Sequence, residues 1–187
     1  MAREKTQKRG DIYQVKVDKD SGRVEIRQWM GGDQYETRDV EFVGKLITFK
    51  LMDFEYKGKT KYKIQFCLQD GVQKDIIELG FNYLAKGLVN YFYALEPGKN
   101  VVELSFYTKE GHAKVGVKVD GEKGKWFLTT EQVLKMNESG DTKWLDMAQK
   151  LHDKYKDFQP IDELDQMIEN AKELVGETEE DLKPAED

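Results

Sequence analysis

Cysteine, histidine and arginine are scarce in this chain of 187 residues, and each scarcity removes a class of chemistry. The single cysteine, Cys67, excludes an intramolecular disulfide and any zinc site built on cysteines, and a lone thiol fits a reducing compartment. The two histidines, His112 and His152, lie far apart, without metal-ligand spacing to Cys67. The five arginines, Arg3, Arg9, Arg23, Arg27 and Arg38, all precede Val40, and a lysine-rich, arginine-poor body beyond it suits sequence-tolerant binding better than the bidentate base reading expected of arginine. No apolar run approaches the ~18 residues of a membrane helix. Met1 to Arg9 is polar and basic, without the apolar core of a signal peptide. A soluble protein of the cytoplasm is expected, with no membrane partner.

Catalytic constellations are also missing. There is no G-x-S-x-G elbow. Gly116-Val-Lys-Val-Asp-Gly121 has the glycine spacing of a phosphate-binding loop, but Glu122 stands where that loop needs lysine. Asp70, Asp75 and Glu78 cluster in sequence, as an ordinary solvated turn would. Neither a cofactor nor a metal is expected, and the chain is expected not to be an enzyme. A carboxylate nuclease using Mg²⁺ is the enzymatic alternative that counting residues leaves open.

What the chain has in quantity is charge, unevenly placed. The total is −6, yet residues 1–159 hold 28 Lys and Arg against 25 Asp and Glu, a net of +3. Residues 160–187 hold 2 against 11, a net of −9. A basic-leaning body with an acidic end is compatible with a polyanionic partner despite the acidic total.

The pattern divides the chain into a flexible basic arm (1–10), a β domain with an N-terminal hairpin (11–128), C-terminal helices (129–176) and a disordered acidic tail (177–187). Ile12 to Val17 and Arg23 to Trp29 alternate apolar and polar residues around the turn Asp18 to Gly22, which reads as a hairpin. Gly31-Gly32-Asp33 breaks the chain. Val40 to Tyr56 is a long strand in which Gly44 marks a bulge or bend. Thr60 to Leu68 and Val72 to Leu79 follow as strands. Phe81, Leu84, Ala85, Leu88, Phe92 and Leu95 then fall at helical spacing. Two more strands, Val101 to Thr108 and Ala113 to Val119, precede a helix over 141–158 striped by Trp144, Ala148, Leu151, Tyr155 and Phe158. Another opens at Pro160 and ends at Gly176.

From Val40 the order is strand, strand, strand, helix, strand, strand. It predicts a mainly β fold with a helical appendage: a five-stranded OB-fold barrel, its helix between the third and fourth strands, plus an extra N-terminal hairpin and C-terminal helices. An open antiparallel sheet with one helix on it is the alternative assembly.

Parity separates the strand faces. With Tyr62, Ile64, Phe66 and Leu68 inward, Lys59, Lys61, Lys63 and Gln65 point outward. With Val102, Leu104 and Phe106 inward, Tyr107 and Lys109 point out, and so does Glu103. With Ala113, Val115 and Val117 inward, His112, Lys114 and Lys118 point out. Phe54 and Tyr56 lie at a hairpin tip beside Lys57. Trp126 follows Lys125 after two glycines. Lysines that track phosphates and rings that stack on bases suit sequence-tolerant binding of a single strand. Outward lysines on strands also serve simply to discourage aggregation.

The features Lys57-Gly-Lys-Thr-Lys-Tyr-Lys63, Ile77-Glu-Leu-Gly-Phe81, Val101 to Thr108 and Val115-Gly-Val-Lys-Val119 resemble the OB-fold single-stranded DNA-binding proteins, especially diverged phage types. The resemblance implies single-stranded DNA binding in replication, recombination or repair, with RNA as an alternative ligand. It puts Tyr56, Lys57, Lys59, Lys61, Lys63, Tyr107, Lys109, Lys114 and Lys118 against the strand, and Phe54, Lys125 and Trp126, rings beside lysines, join them as candidates from their own positions. It also implies an acidic tail, with Glu177, Glu179, Glu180, Asp181, Glu186 and Asp187, that recruits replication proteins. Residues 182–187 carry no aromatic anchor of the kind such tails use. Competition between tail and DNA for the lysines needs only charge. The alternative function is a non-enzymatic interaction module, in which the Trp144–Val175 helical pair binds a replication or virion partner.

Overall fold

The computed structural model describes residues 11–158. The N-terminal arm, the helix opening at Pro160 and the acidic tail lie outside the described residues.

Strands β1 (Ile12–Val17), β2 (Val24–Gly31) and β3 (Gln34–Arg38) form an antiparallel meander. Gly31 and Gly32, both at positive φ, do not break the chain as expected; they turn it into β3. Strands β4 (Phe42–Tyr56), β5 (Lys59–Asp70) and β6 (Gln73–Gly80) form a second meander, followed by α1 (Tyr83–Phe92). Then come β7 (Val101–Lys109), β8 (His112–Val119), the short β9 (Glu122–Lys123), α2 (Thr130–Glu138) and α3 (Thr142–Tyr155). Three of the hairpins share one turn chemistry. Lys57-Gly58, Glu110-Gly111 and Asp120-Gly121 each place both loop residues at positive φ, the two-residue turn whose twist matches that of the strands.

The architecture is mainly β with helices, but no closed five-stranded barrel forms. The described strands make one open mixed sheet in the order β3-β2-β1-β6-β5-β4-β7-β8-β9. The expected succession of three strands, helix and two strands is present. What differs is the partner of β6. Its free edge pairs in parallel with β1, in the register Tyr13 to Ile77 and Val15 to Leu79, rather than with β8. The N-terminal hairpin is therefore part of the sheet. The physical reason is burial: Tyr13, Val15 and Ile26 alternate onto the same inner face as Ile77 and Leu79, and all five are buried.

The sheet curls around that inner face. Phe42 contacts Tyr13 at 4.9 Å and Phe106 at 6.2 Å between ring centroids, edge to face, so residues far apart in strand order meet in the core. Gly44 permits the curl. Residues 42–45 of β4 pair with β7 and residues 45–56 pair with β5. A Cβ at Gly44 would come 2.8 Å from the backbone of Gln69. A register shift between Leu46 and Thr48 completes the bend.

Helices close the inner side. Asn82 caps α1 by accepting from the Ala85 N–H at 3.1 Å, and Leu84, Ala85, Leu88 and Phe92 are buried. On α3 the expected stripe is buried at Trp144, Ala148, Leu151 and Tyr155, along with Met147, but the helix ends at Tyr155 and Phe158, expected on the same stripe, lies beyond it and is half-buried. Burial pushes the Tyr155 phenol above its ordinary range. His152 Nδ1 accepts from the Leu51 N–H at 2.9 Å, where β4 has run past β7 and no strand among the described residues pairs with that edge. Helix α2 falls within the expected helical segment 129–176, ahead of the two helices delimited there. It starts at a capping box, Thr129 with Gln132, and buries no residue.

Candidate nucleic-acid interface

The inward and outward sets follow parity in part: Tyr62, Val115 and Val119, expected inward, are only half-buried, and Cys67 and Gln69 on the outward parity of β5 are buried. Ile64, Phe66 and Leu68 are buried while Lys59 and Lys61 are exposed; Val102, Leu104 and Phe106 are buried while Tyr107 and Lys109 are exposed. The outward residues form two groups.

The first is the β4–β5 tip. Register sets Phe54 opposite Lys61 and Tyr56 opposite Lys59. Tyr56 is 50% exposed, with Lys57 Nζ 5.3 Å and Lys61 Nζ 5.1 Å from its ring centroid; Lys63 Nζ lies 5.8 Å from that of Phe54. Lys57, Lys59 and Lys61 form no ion pair among the described residues. Lys63 does: its Nζ is 2.7 Å from Glu78 Oε1 on the neighbouring strand, with the two side chains only 29% and 17% exposed. It is not the free cation that parity suggested. A hollow of about 210 Å³ beside it is lined by Phe54, Lys63, Glu78, Gln14 and Lys16.

The second group is the outer face of β7 and β8. Tyr107 stands opposite Lys114, Lys109 opposite His112, and Glu103 opposite Lys118. A hollow of about 570 Å³ is lined by Val43, Tyr91, Glu103, Ser105, Tyr107, Gly116, Lys118 and Lys123. Gly116 leaves open the position a side chain would fill beside Tyr107, whose Cε1 a Cβ would meet at 3.8 Å. Lys125 and Trp126 belong near this group. Trp126 packs edge-on against Tyr91 at 6.2 Å. The strap carrying it is tied to α1 by Asn90, whose backbone carbonyl accepts from Phe127 N–H and whose side-chain oxygen accepts from Leu128 N–H.

The structure does not merge the groups into one groove. The two hollows share no lining residue. Antiparallel pairing sends the β4–β5 tip off one end of β4 and the β7–β8 turn off the other.

No family model, no curated protein and no solved structure gives a significant match to this chain.

Other polar groups do not assemble a reactive centre. Burial pushes the Cys67 thiol up to about 11, which keeps it protonated at neutral pH. Asp75 accepts from Gln73 at 2.9 Å while Glu78 pairs with Lys63, so the acidic run of Asp70, Asp75 and Glu78 does not converge. Among the described residues no cluster of three His, Cys, Asp or Glu could hold a metal ion, and no helix is long and apolar enough to cross a membrane.

Sequence reasoning missed several outward residues. Trp29 and Tyr35, directly opposite each other on β2 and β3, are about 40% exposed. Gln14 Nε2 donates to the Tyr35 hydroxyl at 3.4 Å, placing both rings on the same outer face as Gln14 and Glu78. The hairpin alternation of β1 and β2 contained that parity; the strand β3 that completes it was hidden behind two glycines.

Proposed function

We propose that this chain binds single-stranded DNA without sequence preference and without chemistry on it, as a protein of replication, recombination or repair in the cytoplasm. The β4–β5 tip carries this reading: two half-exposed rings, Phe54 and Tyr56, with Lys57 and Lys61 beside the Tyr56 ring and no acid among the described residues paired to either. Rings of this kind stack on any base, and lysines attract phosphates as point charges, so affinity comes with little sequence discrimination. RNA offers the same stacking and charge, so the two ligands compete for the same residues. The acidic tail, Glu177 to Asp187, competes with the strand for these lysines.

The test is the salt dependence of oligo(dT) binding. Each neutralised phosphate contributes about 0.7 to the log–log slope for a single strand, so Lys57→Ala, Lys59→Ala and Lys61→Ala together should flatten it by roughly 2. An unchanged slope removes the tip from the interface.

The alternative, an interaction module built on the Trp144–Val175 helical pair, would have to use the polar face of α3, because Trp144, Met147, Ala148, Leu151 and Tyr155 are buried within the chain.

A further inference from the structure

Lys16 borders two hollows. One is shared with Phe54 and Lys63 at the foot of the β4–β5 tip. The other, of about 470 Å³, also takes in Arg23 and Arg27 and runs along the hairpin toward the β1–β2 turn. At that turn the curled sheet meets itself: the Val24 N–H donates to Thr108 Oγ1 at 3.1 Å, and a Cβ on Gly22 would strike the carbonyl of Gly111. Gly111 belongs to the β7–β8 turn, flanked by the pair Lys109 and His112.

The outer face of the N-terminal hairpin therefore spans the distance between the two lysine groups by the route that avoids β4. Crossing from β4 to β2 takes four strand spacings, roughly 19 Å at ~4.8 Å each. Along it Lys16 and Arg23 are exposed and form no ion pair among the described residues. Two acids face these cations across the hairpin: Glu25, opposite Lys16, also accepts from Thr37 at 2.9 Å and pairs with Arg27 at 3.1 Å, and Asp18, whose N–H donates to the Arg23 carbonyl, accepts from the Asp20 N–H of its own turn.

Resting on the single-strand reading above, we propose that the β1–β2 hairpin is the middle of one continuous phosphate track. Lys16 and Arg23 carry the backbone of a single DNA strand from the β4–β5 tip to the β7–β8 turn. The hairpin then has a double role, occupying the edge of β6 and joining the two halves of the interface.

The experiment measures oligo(dT) binding by fluorescence anisotropy across a salt series, for the full chain and for Lys16→Ala/Arg23→Ala. Two lost phosphate contacts should lower the slope by about 1.4. The charge-conserving pair Lys16→Arg/Arg23→Lys should retain the full slope, which a merely structural role for these residues would not require. If the wild type binds and the alanine pair leaves the slope unchanged, the track does not cross the hairpin while the function proposed above stands. If the wild type binds no oligo(dT), both ideas fall together.

Discussion

Lys63 Nζ lies 2.7 Å from Glu78 Oε1, and that contact places a neutralised cation in the midst of a face that parity alone would make basic. Gln65 Nε2 donates to the other Glu78 oxygen at 3.2 Å, so the carboxylate is held from two sides. Glu78→Gln removes the negative charge and keeps a hydrogen-bonding group in place. Oligo(dT) should then bind more tightly, with the slope against salt steeper by about 0.7 as Lys63 becomes available to a phosphate. A slope identical to wild type would put Lys63 outside the interface.

The rings should matter individually. Tyr56→Ala and Tyr107→Ala should each cost roughly 1–3 kcal/mol of oligo(dT) binding if a base stacks on them, while the phenylalanine variants retain most of the affinity. Titration at one fixed salt concentration checks this. Loss in Tyr56→Ala alone would confine the interface to the β4–β5 tip.

Much of this surface was legible in the alternation of β5, where Ile64, Phe66 and Leu68 turn inward and Lys59 and Lys61 outward. The stripe of Trp144, Ala148, Leu151 and Tyr155 was equally plain, because helical spacing is a local signal. The capping box of α2, Thr129 with Gln132, was present in the sequence and went unread. Strand partnership is another matter. The pairing of β6 with β1 joins Tyr13 to Ile77 across more than sixty residues, and nothing in the pattern of either strand names its neighbour. The Lys63–Glu78 pair escaped for the same reason: it follows from the register of β5 on β6.

Gly44 carries the bend of β4, and its Cα faces the backbone of Gln69 too closely for a side chain. Gly44→Ala should destabilise the fold by about 1–3 kcal/mol or more, since backbone rather than a side-chain tip must give way. Chemical denaturation measures it. A neutral result would mean that β4 does not bend where the pairing changes partner.

His152 ties α3 to the unpaired edge of β4. His152→Ala leaves the Leu51 N–H without its acceptor in a half-buried position, which should cost about 1–3 kcal/mol in the same denaturation experiment.

Acid should act on the β8–β9 turn. The Asn100 side-chain amide, and then the Val101 N–H, hold the Asp120 carboxyl below its ordinary value. A depressed folded-state value contributes stability that is present above the unfolded value, about 3.9, and lost as pH falls through the lower folded value. Asp120→Asn should flatten the pH dependence of stability below about pH 4. Parallel curves for variant and wild type would show that this carboxylate is not coupled to folding.

The most direct measurement compares the full chain's affinity for a single-stranded oligo(dT) and for a duplex of equal length, at two salt concentrations. The outer face of the curled sheet, with its rings and lysines, predicts tight single-strand binding that weakens as salt rises, and much weaker binding to duplex. Equal affinity for both, or affinity for neither, contradicts it.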